Sequence, residues 1–183
     1  MGTNKALIKI DGVAIIERVI QELKKISKNI VVVVDKKEKY AQITKYEGVK
    51  IFEDENRDVG PVEGMRIGLK HIDKHSAFIC ACDMPFIQGD CVKELYGYKT
   101  NDIYCVVPRV NGKLHPLHGI YDKKAYGVLS DMVKTDKKRI VYLFDRAKTE
   151  IVEVCDCNLE LSLTNVNNPE DLESIKKRGV VYG

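Results

Sequence analysis

The sequence predicts an α/β fold with three layers, in which a sheet lies between two layers of helices. After a tight turn predicted at Asp11-Gly12, apolar residues from Ile15 to Ile26 recur at three- and four-residue steps, which is typical of an amphipathic helix. Two runs, Ile30 to Val34 and Ala77 to Ala81, are continuously apolar, as in parallel strands that are buried on both faces. Because helix and strand patterns alternate along the chain, we expect a Rossmann-like, doubly wound sheet that is mixed but mostly parallel.

Further elements continue this alternation through the first half of the chain. A short strand over Val49 to Phe52 precedes a helix over Pro61 to His71, which begins with a proline in its first turn. A helix over Asp90 to Leu95 and a strand over Ile103 to Val107 follow. This order indicates consecutive βαβ units with right-handed crossovers.

The pattern changes beyond Pro108. Asn111-Gly112 is a tight-turn signal, so we expect Val106 to Val110 and Lys113 to Tyr121 to pair antiparallel. The later predicted elements are helices near Lys124 to Val133 and Arg139 to Ala147, a strand over Ile151 to Val154, and a last helix that begins at Asn168-Pro169-Glu170-Asp171. A mixed sheet is therefore predicted.

Length and composition favour one domain and argue against nucleic-acid and membrane roles. A chain of 183 residues with 44% hydrophobic positions can bury one core, so we expect a single domain over residues 1–183. The net charge of +3 comes without a basic stripe and interleaved aromatic residues, which disfavours a nucleic-acid partner. Because no apolar run reaches the roughly 18 residues of a membrane span and no secretory signal is visible, we expect a cytoplasmic protein.

The six cysteines are expected to be reduced thiols, because cytoplasmic chains rarely keep disulfides. Cys80 and Cys82, and again Cys155 and Cys157, are separated by one residue. Structural zinc sites usually begin with a separation of about two to four residues. Buried apolar cysteines are therefore favoured over a metal site.

One carboxylate, Asp83, directly follows the apolar run Ala77 to Ala81, within Cys82-Asp83-Met84-Pro85. Ligands of open α/β sheets bind in the crevice beyond the carboxyl ends of the strands. A carboxylate there can hold Mg²⁺ against phosphate oxygens, because Mg²⁺ usually takes only one or two protein carboxylates. An aspartate that only caps the turn explains the pattern equally well, so position alone leaves both roles open.

Neither the P-loop pattern nor the dinucleotide glycine fingerprint is present. Five segments that span almost the whole chain instead share one order with a known family. They are Met1-Gly2-Thr3-Asn4-Lys5-Ala6-Leu7, Glu53-Asp54 through Gly60-Pro61-Val62-Glu63-Gly64, Cys80 to Phe86, Leu114 to His118, and Asn165 to Leu172. Taken together, these segments resemble the molybdenum cofactor guanylyltransferases.

The resemblance implies a nucleotidyltransferase of the glycosyltransferase-A-like type. Such an enzyme transfers GMP from GTP to molybdopterin with Mg²⁺ and releases pyrophosphate. The resemblance implies that Asp83 is the metal carboxylate and that Lys5 is the cation on the phosphates. The residues implied for the nucleotide side are Asp54, Gly60, Pro61 and Gly64. From the residues alone, Lys5 can equally be a surface lysine, and Asp54 can simply end a strand.

The resemblance also implies residues on the acceptor side. Asn165 and Asn167 would lie towards the pterin, although both also fit turn residues ahead of a helix cap. Arg139 would meet the pterin phosphate. For His115, packing or substrate shaping is favoured over proton transfer, because a phosphate nucleophile with a second pKa of about 6 needs no general base. The implied partners are GTP, molybdopterin, and proteins of molybdenum-cofactor biosynthesis or acceptor enzymes.

One feature departs from the family pattern. Family members begin with a strand and a glycine-rich loop, of which only the end, Met1-Gly2, is matched here. We therefore expect a sheet that lacks its first strand, and a chain that is weakly active and less stable than a version extended upstream. Two alternative functions are a cytidylyl- or guanylyltransferase for another phosphorylated acceptor, and a non-catalytic module that binds pterin or nucleotide.

Overall fold

The computed structural model describes residues 5–56, 59–135, 138–153, 157–166 and 171. The strands of this part are, in chain order, β1 (Lys9–Ile10), β2 (Val13–Ala14), β3 (Ile30–Val34), β4 (Val49–Glu53), β5 (Ser76–Cys80), β6 (Cys105–Val110), β7 (Lys113–Leu114), β8 (His118–Asp122) and β9 (Thr149–Glu153). Its α-helices are α1 (Ile15–Ile26), α2 (Pro61–His71), α3 (Gly89–Gly97), α4 (Ala125–Val133), α5 (Val141–Phe144) and α6 (Cys157–Ser162). Short 3₁₀ helices cover Lys5–Leu7 and Lys37–Ile43.

Alternate residues of the strands face two different cores. Val106 and Ile120 pack with side chains of α1 and α3, whereas Cys105, Val107 and Tyr121 pack with side chains of α2 and α4. This is the two-residue period of a strand, which sends successive side chains to opposite faces of a sheet. Helices therefore cover both faces, and the predicted three-layer α/β/α fold is confirmed.

The longer strands form two groups. In the first group, β3 pairs in parallel with β4, from Ile30 opposite Val49 to Val34 opposite Glu53. In the second group the strand order is β5-β8-β6-β7, with antiparallel pairs, and β9 adds to β6 in parallel. The sheet is thus mixed, as predicted. Within the described residues, β3 pairs only with β4, and β5 pairs only with β8.

Two tight turns predicted from dipeptides have the expected geometry. Asp11 and Gly12 have φ angles of 50° and 82° and join β1 to β2. Asn111 and Gly112 have φ angles of 49° and 74° and join β6 to β7. Positive φ at both central positions is the type I′ geometry that two-residue hairpins favour, and Asp, Asn and Gly are the residues that tolerate it best.

The predicted strand over Lys113 to Tyr121 is interrupted in the structure. β7 ends at Leu114 and β8 begins at His118, with a turn over residues 115–117 between them. Pro116 has no N–H to donate to a strand ladder. The N–H of His118 instead donates to the carbonyl of His115 across the turn, at 3.1 Å. The prediction of one continuous strand carrying both histidines is therefore wrong, and His115 lies in a turn.

The strands β3 and β5 are less buried than their apolar sequences predict. Ile30 and Val34 are buried, but residues 31–33 between them are half-buried, as are all five residues of β5. Each strand has a hydrogen-bonded neighbour on one side, β4 for β3 and β8 for β5. The prediction of full burial is wrong for these residues, because full burial needs a strand on each side as well as helices on each face.

The predicted bounds of the helices agree with the structure in one case and differ by a few residues in another. The helix predicted over Pro61 to His71 is α2, with the same bounds. The helix predicted over Arg139 to Ala147 is limited to the four residues of α5. The last predicted helix, from Asn168, lies outside the described residues apart from Asp171.

Two classes of feature are absent from the described residues. None of their helices is both long and apolar enough to cross a bilayer. They also contain no group of three or more His, Cys, Asp or Glu side chains placed to bind one metal ion.

The prediction of buried cysteines is confirmed for Cys91 and Cys105, whereas Cys80 is half-buried and Cys82 is exposed.

Gly48 is a position where a side chain cannot be tolerated. Its φ is +78°, and a Cβ there would lie 2.0 Å from the carbonyl oxygen of Lys28. We expect Gly48→Ala to lower the free energy of unfolding by about 2 kcal/mol or more, since left-handed backbone strain adds to this clash. Gly127→Ala is the control, because Gly127 is exposed within α4 and a Cβ there meets nothing within 4 Å. That variant should gain about 0.5–1 kcal/mol. Urea titrations measure both changes, and equal effects of the two substitutions would contradict this account.

Candidate nucleotide and metal site

Two of the predicted aspartates lie just beyond the carboxyl ends of strands. Asp83 follows β5 by three residues, and Asp54 directly follows β4. The N–H of Asp54 donates to the carbonyl of Val34 at 2.9 Å, which extends the ladder between β3 and β4 by one residue. Strand ends of this kind line the ligand crevice of open α/β sheets. The structure therefore places both carboxylates where a ligand of this fold would bind.

Each of these aspartates has one buried oxygen for which the described residues supply no partner. Within the described residues, Oδ1 of Asp54 and Oδ1 of Asp83 are both buried and accept no hydrogen bond. Burial raises the pKa of Asp83, against the lowering effects of its own backbone N–H and of Lys5. Burial, followed by the charges of Glu63 and Asp35, raises the pKa of Asp54. Because an unpaired buried carboxylate oxygen is costly, both atoms are suited to a partner that a ligand supplies.

Lys5 lies close enough to Asp83 for its charge to affect the pKa of that carboxyl. It belongs to the 3₁₀ helix Lys5–Leu7 and is exposed. Its positive charge lowers the pKa of both Asp83 and Cys82, against the effect of burial. Lys5 and Asp83 thus lie near each other beyond the end of β5.

The start of α2 forms another part of this region. Gly60 is the N-cap residue, with φ of 73° and ψ of −150°, and Pro61 is the first helical residue. This backbone conformation is essentially limited to glycine. Pro61, Gly64 and Asp83 line the same cavity, of about 1170 Å³. An eleven-residue helix whose amino terminus opens on such a cavity can bind anionic groups with its free N–H groups.

A buried carboxylate, Glu63, fixes the loop after Asp54 to α2. Its Oε1 accepts hydrogen bonds from the backbone N–H groups of Glu55 and Asn56, at 3.1 and 3.0 Å, and from the side-chain amide of Asn56, at 3.0 Å. Arg66 donates to Oε2 through Nε at 2.8 Å and to Oε1 through Nη2 at 2.9 Å. The side chain of Glu63 is 0% exposed and that of Arg66 is 8% exposed. The backbone of the loop that follows Asp54 is therefore held by hydrogen bonds to a single side chain, that of Glu63.

Hydrogen bonds keep Glu63 ionised despite its burial. Burial raises the pKa of its carboxyl, but the hydrogen bonds from Arg66 and Asn56 outweigh burial and leave this pKa below its ordinary value. The sequence prediction included Glu63 in a matched segment but assigned it no role. Two signals were available: an acid at the third position of the predicted helix, and an arginine three residues later.

The segment after α6 lies against the Asp83 loop. The N–H of Val166 donates to the carbonyl of Asp83 at 2.8 Å. The hydroxyl of Ser162 accepts the N–H of Gln88 at 3.0 Å and lies 3.3 Å from Nε2 of His118. Asn165, next to Val166, is exposed at the rim of the site. Asn167 lies outside the described residues.

The two remaining predicted residues are His115 and Arg139. His115 is half-buried in the turn before β8, where burial and then the charge of Lys113 lower its pKa. Arg139 is exposed ahead of α5. None of the hydrogen bonds or ion pairs among the described residues joins either side chain to Asp54 or Asp83. The structure therefore does not bring His115 and Arg139 into direct contact with the carboxylates.

Comparison with known proteins identifies the class of protein to which this α/β fold belongs. The family model of the MobA-like NTP transferase domain matches residues 1–149. The chain belongs to this family.

Individual relatives are similar to the chain in sequence, and solved structures are similar to it in fold. The chain is 29% identical over 181 residues to a probable molybdenum cofactor guanylyltransferase of Carboxydothermus hydrogenoformans, with 97% of this chain and 89% of that protein covered. Its fold is similar to that of molybdopterin-guanine dinucleotide biosynthesis protein A from Archaeoglobus fulgidus, with a TM-score of 0.79, 21% identity, and 97% and 91% of the two chains covered. A Mycobacterium tuberculosis protein solved in complex with manganese has a TM-score of 0.66 and 12% identity, with 96% and 92% covered. Both structural likenesses concern the fold.

Breaking the Glu63–Arg66 pair should destabilise the protein in a pH-dependent way. We expect Glu63→Gln to cost about 3 kcal/mol at neutral pH, because it removes the buried charged partner of a buried guanidinium and leaves it only the half-exposed Glu55. The folded-state pKa of Glu63 is lowered, so its contribution is complete above the pKa of the unfolded chain and is lost as the pH falls through the folded pKa. The stability difference between wild type and variant should therefore shrink on acidification.

Glu55→Gln is the matched control. Glu55 also pairs with Arg66, but its side chain is 48% exposed. We expect a loss below about 1 kcal/mol, as for exposed ion pairs. Urea titrations of both variants from neutral to acidic pH measure these differences. Equal losses for the two variants, or a Glu63→Gln effect that does not change with pH, would refute the role given to Glu63.

Proposed function

We propose that the protein transfers GMP from GTP to molybdopterin in a Mg²⁺-dependent reaction, forming the guanine dinucleotide cofactor and releasing pyrophosphate. The observation that carries this proposal is the buried Oδ1 of Asp83 beyond the end of β5, which has no partner among the described residues and lies near the charge of Lys5. Membership of the MobA-like family supports nucleotidyl transfer. The relatives named as guanylyltransferases support GTP and molybdopterin as the substrates.

Asp83 has the properties that a magnesium ligand needs. Carboxylate oxygens are hard ligands, and Mg²⁺ is usually bound by one or two carboxylates together with waters and substrate phosphates. The buried Oδ1 has no competing donor among the described residues. When bound there, the ion would neutralise negative charge on the phosphates of the nucleotide.

The remaining chemistry is positioning and charge neutralisation by the chain itself. A phosphate oxygen of the pterin attacks the α-phosphorus of GTP, and the bond between that phosphorus and the oxygen bridging to the β-phosphate breaks. The electron pair of the broken bond leaves with pyrophosphate. Lys5 offsets negative charge on the phosphates. The nucleophile is already mostly dianionic at neutral pH, so no side chain has to remove a proton.

We assign the nucleotide side of the site to the loop after β4 and the start of α2. The free oxygen of Asp54 can accept a hydrogen bond from a hydroxyl or amino group of the nucleotide. Glu63 holds the loop that follows Asp54, so that the position of this acceptor is set before the nucleotide binds. Gly60, Pro61 and Gly64 shape the start of α2 for the phosphates.

We assign the acceptor side to residues near the segment that crosses the Asp83 loop. Asn165 lies at that rim, and Asn167 follows it in the sequence. His115 would shape the pterin pocket in its neutral form, consistent with its lowered pKa. Arg139 would meet the pterin phosphate. The protein would act in the cytoplasm with partner proteins that make molybdopterin or take up the finished cofactor.

Substitution of Asp83 tests the metal role. We expect Asp83→Asn to lower pyrophosphate release from GTP and molybdopterin by about 100-fold or more, because the amide cannot neutralise the ion. The loss should be partly offset by higher magnesium concentrations. Asp90→Asn is the control, since the Asp90 side chain is 95% exposed and pairs only with Lys93 on its own helix among the described contacts. Undiminished turnover by Asp83→Asn at ordinary magnesium levels would refute the assignment.

A panel of nucleotides tests the base and separates the alternatives. We expect GTP with Mg²⁺ to raise the melting temperature more than CTP, ATP or UTP, because a ligand stabilises the folded state in proportion to its affinity. Stronger stabilisation by CTP would favour a cytidylyltransferase. Stabilisation by molybdopterin but by none of the nucleotides would favour a non-catalytic pterin-binding module.

A further inference from the structure

His118 and Ser162 form a polar pair that is buried away from solvent. Both residues are 0% exposed, and Nε2 of His118 lies 3.3 Å from Oγ of Ser162, although 44 positions separate the two residues in the sequence. Neither residue takes part in the reaction proposed above. The other buried polar side chains of the described residues belong to ion pairs, so this pair without charge needs an explanation of its own.

The ring of His118 is fixed at the end of the strand that leads to Asp83. His118 is the first residue of β8 and pairs with Cys80, the last residue of β5. Phe78 packs edge-on against the ring, with 4.9 Å between the ring centroids and an interplanar angle of 87°. The ring is therefore a fixed point beside the start of the Asp83 loop, residues 81–88.

The ring of His118 is neutral and can make one hydrogen bond to Ser162. Burial, followed by the charge of His115, lowers its pKa to about 4. A neutral imidazole has one donor and one acceptor nitrogen, and a hydroxyl can act as either, so Nε2 and Oγ can share a hydrogen bond in both tautomers. Nδ1 is buried and has no partner among the described residues. Because an unpaired buried nitrogen costs free energy, packing alone does not account for a histidine at this position.

Ser162 connects this fixed point to the Asp83 loop. Its Oγ accepts the N–H of Gln88, the residue before α3, at 3.0 Å. At the other end of the loop, the N–H of Ala81 donates to the carbonyl of Leu117, just before β8, at 3.2 Å. One end of the loop is thus held by the chain at the start of β8, and the other end by the hydroxyl that contacts the buried ring.

Ser162 also precedes the segment that crosses the Asp83 loop. It is the last residue of α6, and we call residues 163–166 the strap. Both ends of the strap are buried in the core that includes side chains of α1 and α3, and the N–H of Val166 donates to the carbonyl of Asp83 at 2.8 Å. Asn165 is exposed at the rim between these ends. The position of the strap therefore depends on the hydroxyl before it and on the backbone bond at its end.

We propose that His118 is a positioning residue for the phosphorylated acceptor. Through Ser162 it sets where the strap crosses the Asp83 loop, and hence where Asn165 is presented to the acceptor. Its completely buried ring touches no substrate. The inference rests on the proposed function only in assigning the acceptor to the strap, because the placement of the strap by His118 holds whichever acceptor is used.

Removal of the ring nitrogens tests the effect on the acceptor. His118→Leu keeps an apolar side chain in the core, whereas His118→Gln offers an amide that can reach the position of Nε2. We expect His118→Leu to raise KM for molybdopterin about tenfold and to change KM for GTP less than about twofold, because only the acceptor side is displaced. His118→Gln should restore most of the loss. A purely structural role would instead lower the urea midpoint and leave the ratio of the two KM values unchanged.

Ser162→Ala removes a single oxygen atom and is the second variant. We expect it to raise KM for molybdopterin at least as much as His118→Leu, because the bond to Gln88 is lost as well. Adding His118→Leu to Ser162→Ala should have little further effect, since both substitutions act through one contact. Ser130→Ala is the control, because that hydroxyl donates to the carbonyl of Tyr126 within α4, on the opposite face of the sheet.

Hydrogen exchange reports on the strap without any substrate. We expect the amide of Val166 to exchange about tenfold faster in His118→Leu and in Ser162→Ala than in wild type, with no change in β3 and β4. Unchanged exchange at Val166, or KM values that change equally or not at all, would overturn the proposal. If the wild type transfers no nucleotide to molybdopterin, the proposed function fails, and exchange at Val166 alone then decides whether His118 positions the strap.

Discussion

The position of the loop that follows Asp54 depends on one buried carboxylate. Glu63 is completely inaccessible, and an ion in such a place is tolerated only when its oxygens are fully hydrogen-bonded. Its donors come from Arg66 in the same helix and from the loop that follows Asp54. The buried oxygens of Asp54 and Asp83 have no donor among the described residues. This contrast separates a carboxylate that holds the structure from two that are available to a ligand.

Local patterns in the sequence predicted the elements whose causes are local. The period of α1, the proline that begins α2, and the turns at Asp11-Gly12 and Asn111-Gly112 all depend on residues within a few positions of each other. The break at Pro116 could also have been recognised, since proline cannot donate to a ladder. The burial of β3 and β5 could not be predicted in this way, because it depends on which strand lies beside each of them.

The difference between local patterns and contacts of distant residues also explains which parts of the site were predicted. Asp83 was identified as a candidate because a strand end is visible in the sequence and strand ends line the ligand crevice, whereas Asp54 was named through the family resemblance. The role of Glu63 depends on a loop that returns to the helix, and the hydrogen bond from Val166 to the carbonyl of Asp83 joins distant parts of the chain. Periodicity carries no information on such contacts. The prediction therefore named the candidate ligands of the site but missed what holds them.

The two aspartates belong to different groups of strands, and this affects how accurately the site can be held. Asp54 follows β4 and Asp83 follows β5, and no ladder in the described residues joins these groups. Their relative position is set by α2, which packs against β3, β4 and β5. Phosphoryl transfer depends on positioning, and an error of about 1 Å can lower a rate by about 100-fold.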